Sequence, residues 1–220
     1  MSPPGGDGIV YVVDDDWRIC EALDELMAAS GLSARTFQSM GAYLAHNQAN
    51  LPGCLGLDVD LLDTNGLDVQ EQIADDHPPI VFITGHGDNP FFVRDIKRGA
   101  VNFLTKPYGD AELLAPIRKA IELDRAGRAH WAELQILRSR YNRLTPRERE
   151  ALPLFVSGLL NKQAAAELGS SDVTMQIHRS KIMHKMDKYS LADLVRMAGK
   201  LKISINHSRA GKRPFHGDHP

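Results

Sequence analysis

Cysteine is nearly absent. Cys20 and Cys54 are the only two in 220 residues, too few for a disulfide framework or a metal cage, so reduced thiols in a cytosolic protein are expected. Long apolar runs are missing as well: none approaches the roughly 18 residues of a membrane span. The opening MSPPGGDG has neither the basic flank nor the apolar stretch of a secretory signal. Internal repeats are not found. Membrane, disulfide-rich and collagen-like classes are therefore excluded, and a cytoplasmic location with no membrane contact is expected. What is present is ordinary globular usage, 43% apolar and 25% charged residues, in a chain of 24.3 kDa. That length gives one large or two modest domains, since domains typically run about 100–150 residues.

The net charge of −2 conceals a division. Residues 1–125 hold 9 basic and 20 acidic residues, a net −11, whereas residues 126–220 hold 17 and 8, a net +9. Two functional units are implied, and the basic one is a candidate for nucleic acid.

In the first 125 residues apolar runs of strand length alternate with helical patterns. Strands are expected at Ile9–Val13, Cys54–Leu57 and Ile80–Ile83, with weaker ones at Leu32–Phe37 and Val101–Leu104. Between them Ile19, Leu23, Leu26 and Met27 share a helical face, as do Val69 with Ile73, Phe92, Val93 with Ile96, and Leu113, Leu114 with Ile117. Five strand-then-helix units predict a doubly wound α/β domain, a five-stranded parallel sheet with helices on both faces. From Asp110 a helix should run to about Arg143, bent at Pro116. Its residues 126–143 serve as a linker, with Leu134, Leu137, Tyr141 and Leu144 in heptad spacing that could pair in a dimer. A four-helix domain over 144–203 follows. Thr145 is its expected N-cap, with Pro146 at the first helical position and Glu148 closing a capping box. The tail 204–220 has no apolar periodicity and is expected to be disordered.

In an open parallel sheet, ligands bind beyond the carboxyl ends of the strands. Those ends carry Asp14, Asp15 and Asp16, then Asp58, Thr84 and Lys106. Crowded carboxylates need a cation, and a hard, oxygen-liganded ion such as Mg²⁺ fits. A carboxylate nucleophile, Mg²⁺, a hydroxyl and an ammonium together are equipped to take a phosphoryl group.

Taken in order, VVDDD, LDVD, FITGHGD and NFLTKP resemble a two-component response-regulator receiver of the flavodoxin-like fold over residues 8–125. The resemblance implies that Asp58 is the phospho-acceptor, with Thr84 and Lys106 beside it in the reaction. It implies that Asp14, Asp15, Asp58 and the Asp60 backbone carbonyl hold Mg²⁺, that Thr84 and Phe103 form the switch, and that Lys106–Pro107 is cis. A histidine kinase would be the phosphate donor. The pair Leu61-Leu62 departs from the family's usual Met-Pro or Leu-Pro, and Asp60 and Asp63 add charge to that loop, which bears on phospho-form lifetime. A rival reading is that LDVDLLDT at 57–64 resembles the first motif of haloacid-dehalogenase phosphohydrolases. There, however, the acidic metal pair follows the lysine, whereas Asp14 and Asp15 precede Asp58.

Residues 144–201 resemble the LuxR-type helix-turn-helix of FixJ/NarL response regulators, through LTPRERE, GLLNKQAAAELG, SSDVTMQIHRSKIMHKM and SLADLVRMA. Within helix 172–186, Met175, Ile182 and Met186 suit packing. An opposite stripe of Val173, Gln176, Ile177, Ser180, Lys181 and His184 suits a major groove, with Thr174 at its start. Lys162, His178, Arg179 and Lys181 are expected to contact phosphates. The whole reads as a non-enzymatic transcription regulator, limited to self-phosphorylation from a phosphodonor and slow self-dephosphorylation. It would bind double-stranded DNA and form a homodimer on phosphorylation, with RNA polymerase a candidate partner. The alternative is a phosphate-sink receiver with a vestigial DNA domain.

Overall fold

The structure, a computed structural model, describes residues 8–61, 77–85 and 100–203. The helices expected around Val69–Ile73 and Phe92–Ile96, Leu62, Asp63 and the tail lie outside these residues. The chain divides into two compact units, Met1–Ala129 and His130–Pro220.

The first unit contains β1 (Ile9–Val13), α1 (Trp17–Ala29), β2 (Ser33–Phe37), α2 (Met40–Ala45), β3 (Gly53–Asp58), β4 (Ile80–Thr84) and β5 (Ala100–Thr105). Helix α3 (Asp110–Asn142) begins here and runs on through Pro116 into the second unit. All strand pairs are parallel, in the order β2-β1-β3-β4-β5. Strand alternation feeds two cores. Ile9, Tyr11, Val13, Leu55, Leu57 and Phe82 pack with Met40 and Tyr43 of α2. Val10, Val12, Cys54, Val81 and Ile83 pack with Leu23 and Met27 of α1 and with Leu113, Ile117 and Ile121 of α3. Both faces are covered, which is why IVYVV is continuously apolar rather than alternating. The fit is close at the sheet's lower edge, where a Cβ on Gly8 would lie 2.6 Å from Ile121 Cγ2.

Register then sets the upper edge. Val13 pairs with Leu57, Asp58 with Ile83, and Thr84 with Thr105. Asp14, Asp58, Thr84 and Lys106 therefore emerge side by side from four adjacent strands.

The second unit has α4 (Pro146–Val156), α5 (Asn161–Leu168), α6 (Asp172–Met186) and α7 (Leu191–Lys200). Thr145 and Glu148 form the expected capping box, each accepting the other's backbone N–H, with Pro146 inside the first turn. Gly169 ends α5 at φ +60°, a left-handed turn that only glycine enters freely. The core joins Leu152 and Phe155 of α4, Met175, Ile182 and Met186 of α6, and Leu194 and Met197 of α7. Leu137 and Leu144 are buried in this same core and Tyr141 packs against it. Three of the four heptad positions are thus used inside one chain. The stretch read as a linker contributes core residues to the helical unit.

Glu148 is buried, and besides capping α4 its Oε2 accepts from Lys185 Nζ on α6 at 2.7 Å. Burial alone would raise its carboxyl, but Lys185 and the Thr145 N–H outweigh this and hold it below the usual glutamate range. A carboxyl held low stabilises the fold above its unfolded pKa of about 4.3, and that contribution is lost as pH falls through the lower folded value. Glu148→Gln should keep the cap and lose the ion pair. We expect it to cost about 2 kcal/mol at neutral pH, below the roughly 3–5 kcal/mol of a fully buried pair, because Lys185 keeps 25% of its side chain in solvent. The cost should shrink in acid. Amide exchange of α6 between pH 3 and 7 measures it, and a pH-independent difference between variant and parent would refute the pairing.

Candidate functional site

The upper edge of the sheet concentrates the polar chemistry of the first unit. Asp14, Asp58 and Thr84 are buried, whereas Asp15 is partly exposed and Asp60 is exposed at the rim. One lysine organises the two buried carboxylates: Lys106 Nζ donates to Asp58 Oδ2 at 2.7 Å and to Asp14 Oδ2 at 3.0 Å. Their remaining oxygens are held locally. Asp14 Oδ1 accepts from the Asp16 N–H at 2.9 Å, and Asp58 Oδ1 from the Asp60 N–H at 3.0 Å. Both are the two-residue side-chain turns that aspartate favours. The Lys106–Pro107 peptide is cis.

Electrostatics follow from burial. Desolvation pushes the Asp14 carboxyl up, and the Asp16 N–H and Lys106 only partly offset it. Burial pulls the Lys106 ammonium down, but its bonds to Asp58 and Asp14 prevail and its pKa is raised. Asp16 instead pairs with Arg18 and falls to about 2, serving as N-cap of α1.

Asp14, Asp15 and Asp58 can each offer an oxygen, all within 4.8 Å of one another. Three hard oxygen donors, two of them buried, are the donor set that Mg²⁺ prefers. The Asp60 side chain engages the end of β4, accepting from Thr84 Oγ1 and the Gly85 N–H, each at 3.3 Å. Its nearness to Thr84 was not legible in the sequence, because it depends on the pairing of β3 with β4. Phe103 is partly buried against the core on the α2 face, opposite Phe82 in the register. The structure also shows that the Cys20 thiol, on the inner face of α1, donates to the Asp14 carbonyl at 3.3 Å and so ties down the acidic loop. The one advance sign of this was the position of Cys20 on the apolar side of α1.

In the second unit, α6 separates two faces. Met175, Ile182 and Met186 are buried, while Val173, Gln176, Ile177, Ser180, Lys181 and His184 are all exposed, as is Lys162 on α5. Ser171 caps α6 and its hydroxyl lies 2.8 Å from that of Thr174. Two expected phosphate contacts, His178 and Arg179, are half-buried. Arg179 stacks its guanidinium 5.4 Å from the Phe155 ring centre and donates to Asn161 Oδ1. His178 is half-buried with an enclosed Nδ1 that has no partner. Both lie between the core and the outward stripe, because i+3 and i+4 steps from Met175 return toward the packed face.

Residues 10–118 match the response regulator receiver domain family, and residues 142–198 match the bacterial regulatory proteins of the luxR family. The chain is 44% identical over 202 residues to nodulation protein W of Bradyrhizobium diazoefficiens, covering 91% of this chain and 89% of that one. It is 42% identical over 199 residues to response regulator protein TodT of Pseudomonas putida, covering 90% and 88%. Among solved structures, response regulator StyR superposes with a TM-score of 0.78 at 39% identity, covering 89% of this chain and all of that one. Full-length FixJ from B. japonicum gives 0.53 at 34%, covering 90% and 98%. The haloacid-dehalogenase reading falls with these matches.

Lys106→Met would leave two buried carboxylates facing one another without a counter-charge. We expect the sheet unit to lose about 3 kcal/mol at neutral pH in chelator, the lower end for breaking a buried pair, with the loss growing as pH rises through the carboxylate range. Millimolar Mg²⁺ should recover most of it by mass action, and should fail to do so when Asp15→Ala is added. Urea unfolding followed at Trp17, in a Trp131→Phe background, reads both effects.

Proposed function

The chain belongs to the two-component response regulators that join a receiver to a LuxR-type DNA-binding domain, as FixJ does, and from this we propose that Asp58 is its phospho-acceptor, supplied by a histidine kinase. The observation that carries the assignment is the convergence of Asp14, Asp15 and Lys106 on Asp58 at one edge of the sheet. In the reaction an Asp58 carboxylate oxygen forms the new bond to phosphorus while the bond to the donor's imidazole nitrogen breaks, and the electron pair leaves with the imidazole. Asp14, Asp15, Asp58 and the Asp60 carbonyl would hold Mg²⁺, which when bound neutralises charge on the phosphoryl oxygens. Lys106, already at hydrogen-bond distance from Asp58, is positioned to pair with one of those oxygens. Thr84 at the end of β4 can turn its hydroxyl to another.

Switching would follow from that turn. Thr84 and Phe103 lie on paired strands, so a hydroxyl drawn toward the phosphoryl group changes the space open to the ring. Two states of the sheet's β4–β5 edge would then differ in stability, and near-complete inversion of their populations would need about 5.5 kcal/mol. The output is homodimerisation and sequence-specific binding of double-stranded DNA. In that binding Gln176, Ile177, Ser180 and Val173 face bases, while Lys162, Lys181, His184 and the capped start of α6 at Thr174 face the backbone. Arg179 supports the helix from its flank through Phe155 and Asn161. No enzymatic turnover is proposed beyond self-phosphorylation and slow self-dephosphorylation. A cytoplasmic setting agrees with this reading; among the described residues no helix is long and apolar enough to cross a membrane.

Incubation with acetyl phosphate and Mg²⁺ should add one phosphate to the chain, and Asp58→Asn should abolish it; undiminished labelling of that variant, read by intact mass, overturns the assignment. Thr84→Ala should accept phosphate yet respond weakly in dimerisation and DNA binding. For the DNA face, Lys181→Ala should reduce the log–log salt slope by about 0.9, the value of one phosphate contact. Gln176→Ala should relax base preference at one position by about 1–3 kcal/mol.

A further inference from the structure

The outward face of α6 is not uniformly polar. Val173 is 66% exposed and Ile177 48% exposed, four residues apart and therefore neighbours on one stripe. Neither is surplus core, because the inward side of α6 is already filled by Met175, Ile182 and Met186. Both are β-branched, with less helix propensity than alanine, so their presence does not favour the helix itself. Around them stand Gln176, Ser180, Lys181 and His184, in a half of the chain that carries +9.

We infer that Val173 and Ile177 read the methyl groups of thymines in the major groove. This rests on the reading of α6 as the recognition helix and specifies what that helix recognises. Thymine is the one base that presents a methyl group there, and an apolar side chain is the group that rewards its desolvation. β-Branching leaves each side chain few χ1 choices, so little freedom is lost on contact. Four residues of helix rise about 6 Å, and successive base pairs are about 3.4 Å apart. The two methyls should therefore fall within two base steps of each other. Gln176, between the two on the same stripe, is placed to pair with an adenine in that interval. The preferred site should contain a short T·A-rich core whose thymines are recognised by their C5 substituents and not only as T·A pairs.

The test uses the full chain, phosphorylated with acetyl phosphate and Mg²⁺, to select double-stranded sites from random DNA. Each thymine of the selected site is then replaced singly by uracil, which removes the methyl and keeps every hydrogen bond. At two positions within two steps of each other the affinity should fall about fourfold per methyl, the worth of one buried methyl group. Val173→Ala should erase the thymine–uracil difference at one of these positions and Ile177→Ala at the other. Ile177→Val should retain it. Because both side chains are exposed, these variants should fold like the parent. If the selected site shows no thymine–uracil difference anywhere, or if the difference survives in both alanine variants, methyl readout is wrong while DNA recognition by α6 stands. If no sequence is enriched at all, the reading of α6 fails and this inference fails with it.

Discussion

One ammonium group holds the functional edge of the receiver together. Asp14 and Asp58 are buried at the ends of neighbouring strands, and without a cation between them their charges would oppose the pairing of β1 with β3. Lys106 bridges both from the end of β5, two strands away from Asp58 in the sheet order. The other oxygen of each carboxylate accepts from a backbone N–H two residues downstream, so every carboxylate oxygen has a donor and keeps room for a further partner. Such a site suits a switch. On the proposed reading, a phosphoryl group on Asp58 would change what Lys106 pairs with, at the end of a strand whose Thr105 is paired with Thr84.

The helical unit relies on a similar device for a different end. Glu148 caps α4 and pairs with Lys185 of α6, while Arg179 on the same helix stacks over Phe155 and bonds to Asn161. α6 is thereby fixed to α4 and α5 from its inner side by charge as well as by Met175, Ile182 and Met186. A helix held this way presents its outer stripe in one orientation, which recognition of base edges requires. Charged residues on α6 thus divide: Lys185 and Arg179 tie the helix to its neighbours, and Lys181 stays exposed.

Much of this was legible in the linear chain, for identifiable reasons. Strand ends follow from apolar runs, and ligand sites in parallel sheets lie beyond strand ends, so the sequence alone groups Asp14, Asp58, Thr84 and Lys106. The capping box at Thr145, Pro146 and Glu148 is a short-range pattern, and its geometry is local. The inward and outward stripes of α6 follow from helical periodicity alone. Less was legible where a side chain has two uses. Arg179 and His178 look like phosphate contacts by residue type, yet they sit at the edge of the packed face, where Phe155 and Asn161 from other helices engage the arginine. Leu137, Tyr141 and Leu144 have dimer-like spacing, but the nearest apolar surface is their own unit's core.

By itself, then, the sequence determined what is periodic or local: the alternation of strands and helices, the caps, the acidic and basic halves, and which residue types gather at strand ends. Tertiary structure alone decided what depends on register and on contacts distant in the chain. It placed Lys106 on both carboxylates across 48 and 92 residues of chain, set Asp60 against Thr84, and made the capping Glu148 half of an ion pair as well. The physical reason is that propensity and periodicity act over a few residues, whereas the partner of a charge is chosen by whichever groups folding brings within about 3 Å, and that choice belongs to the packed chain as a whole.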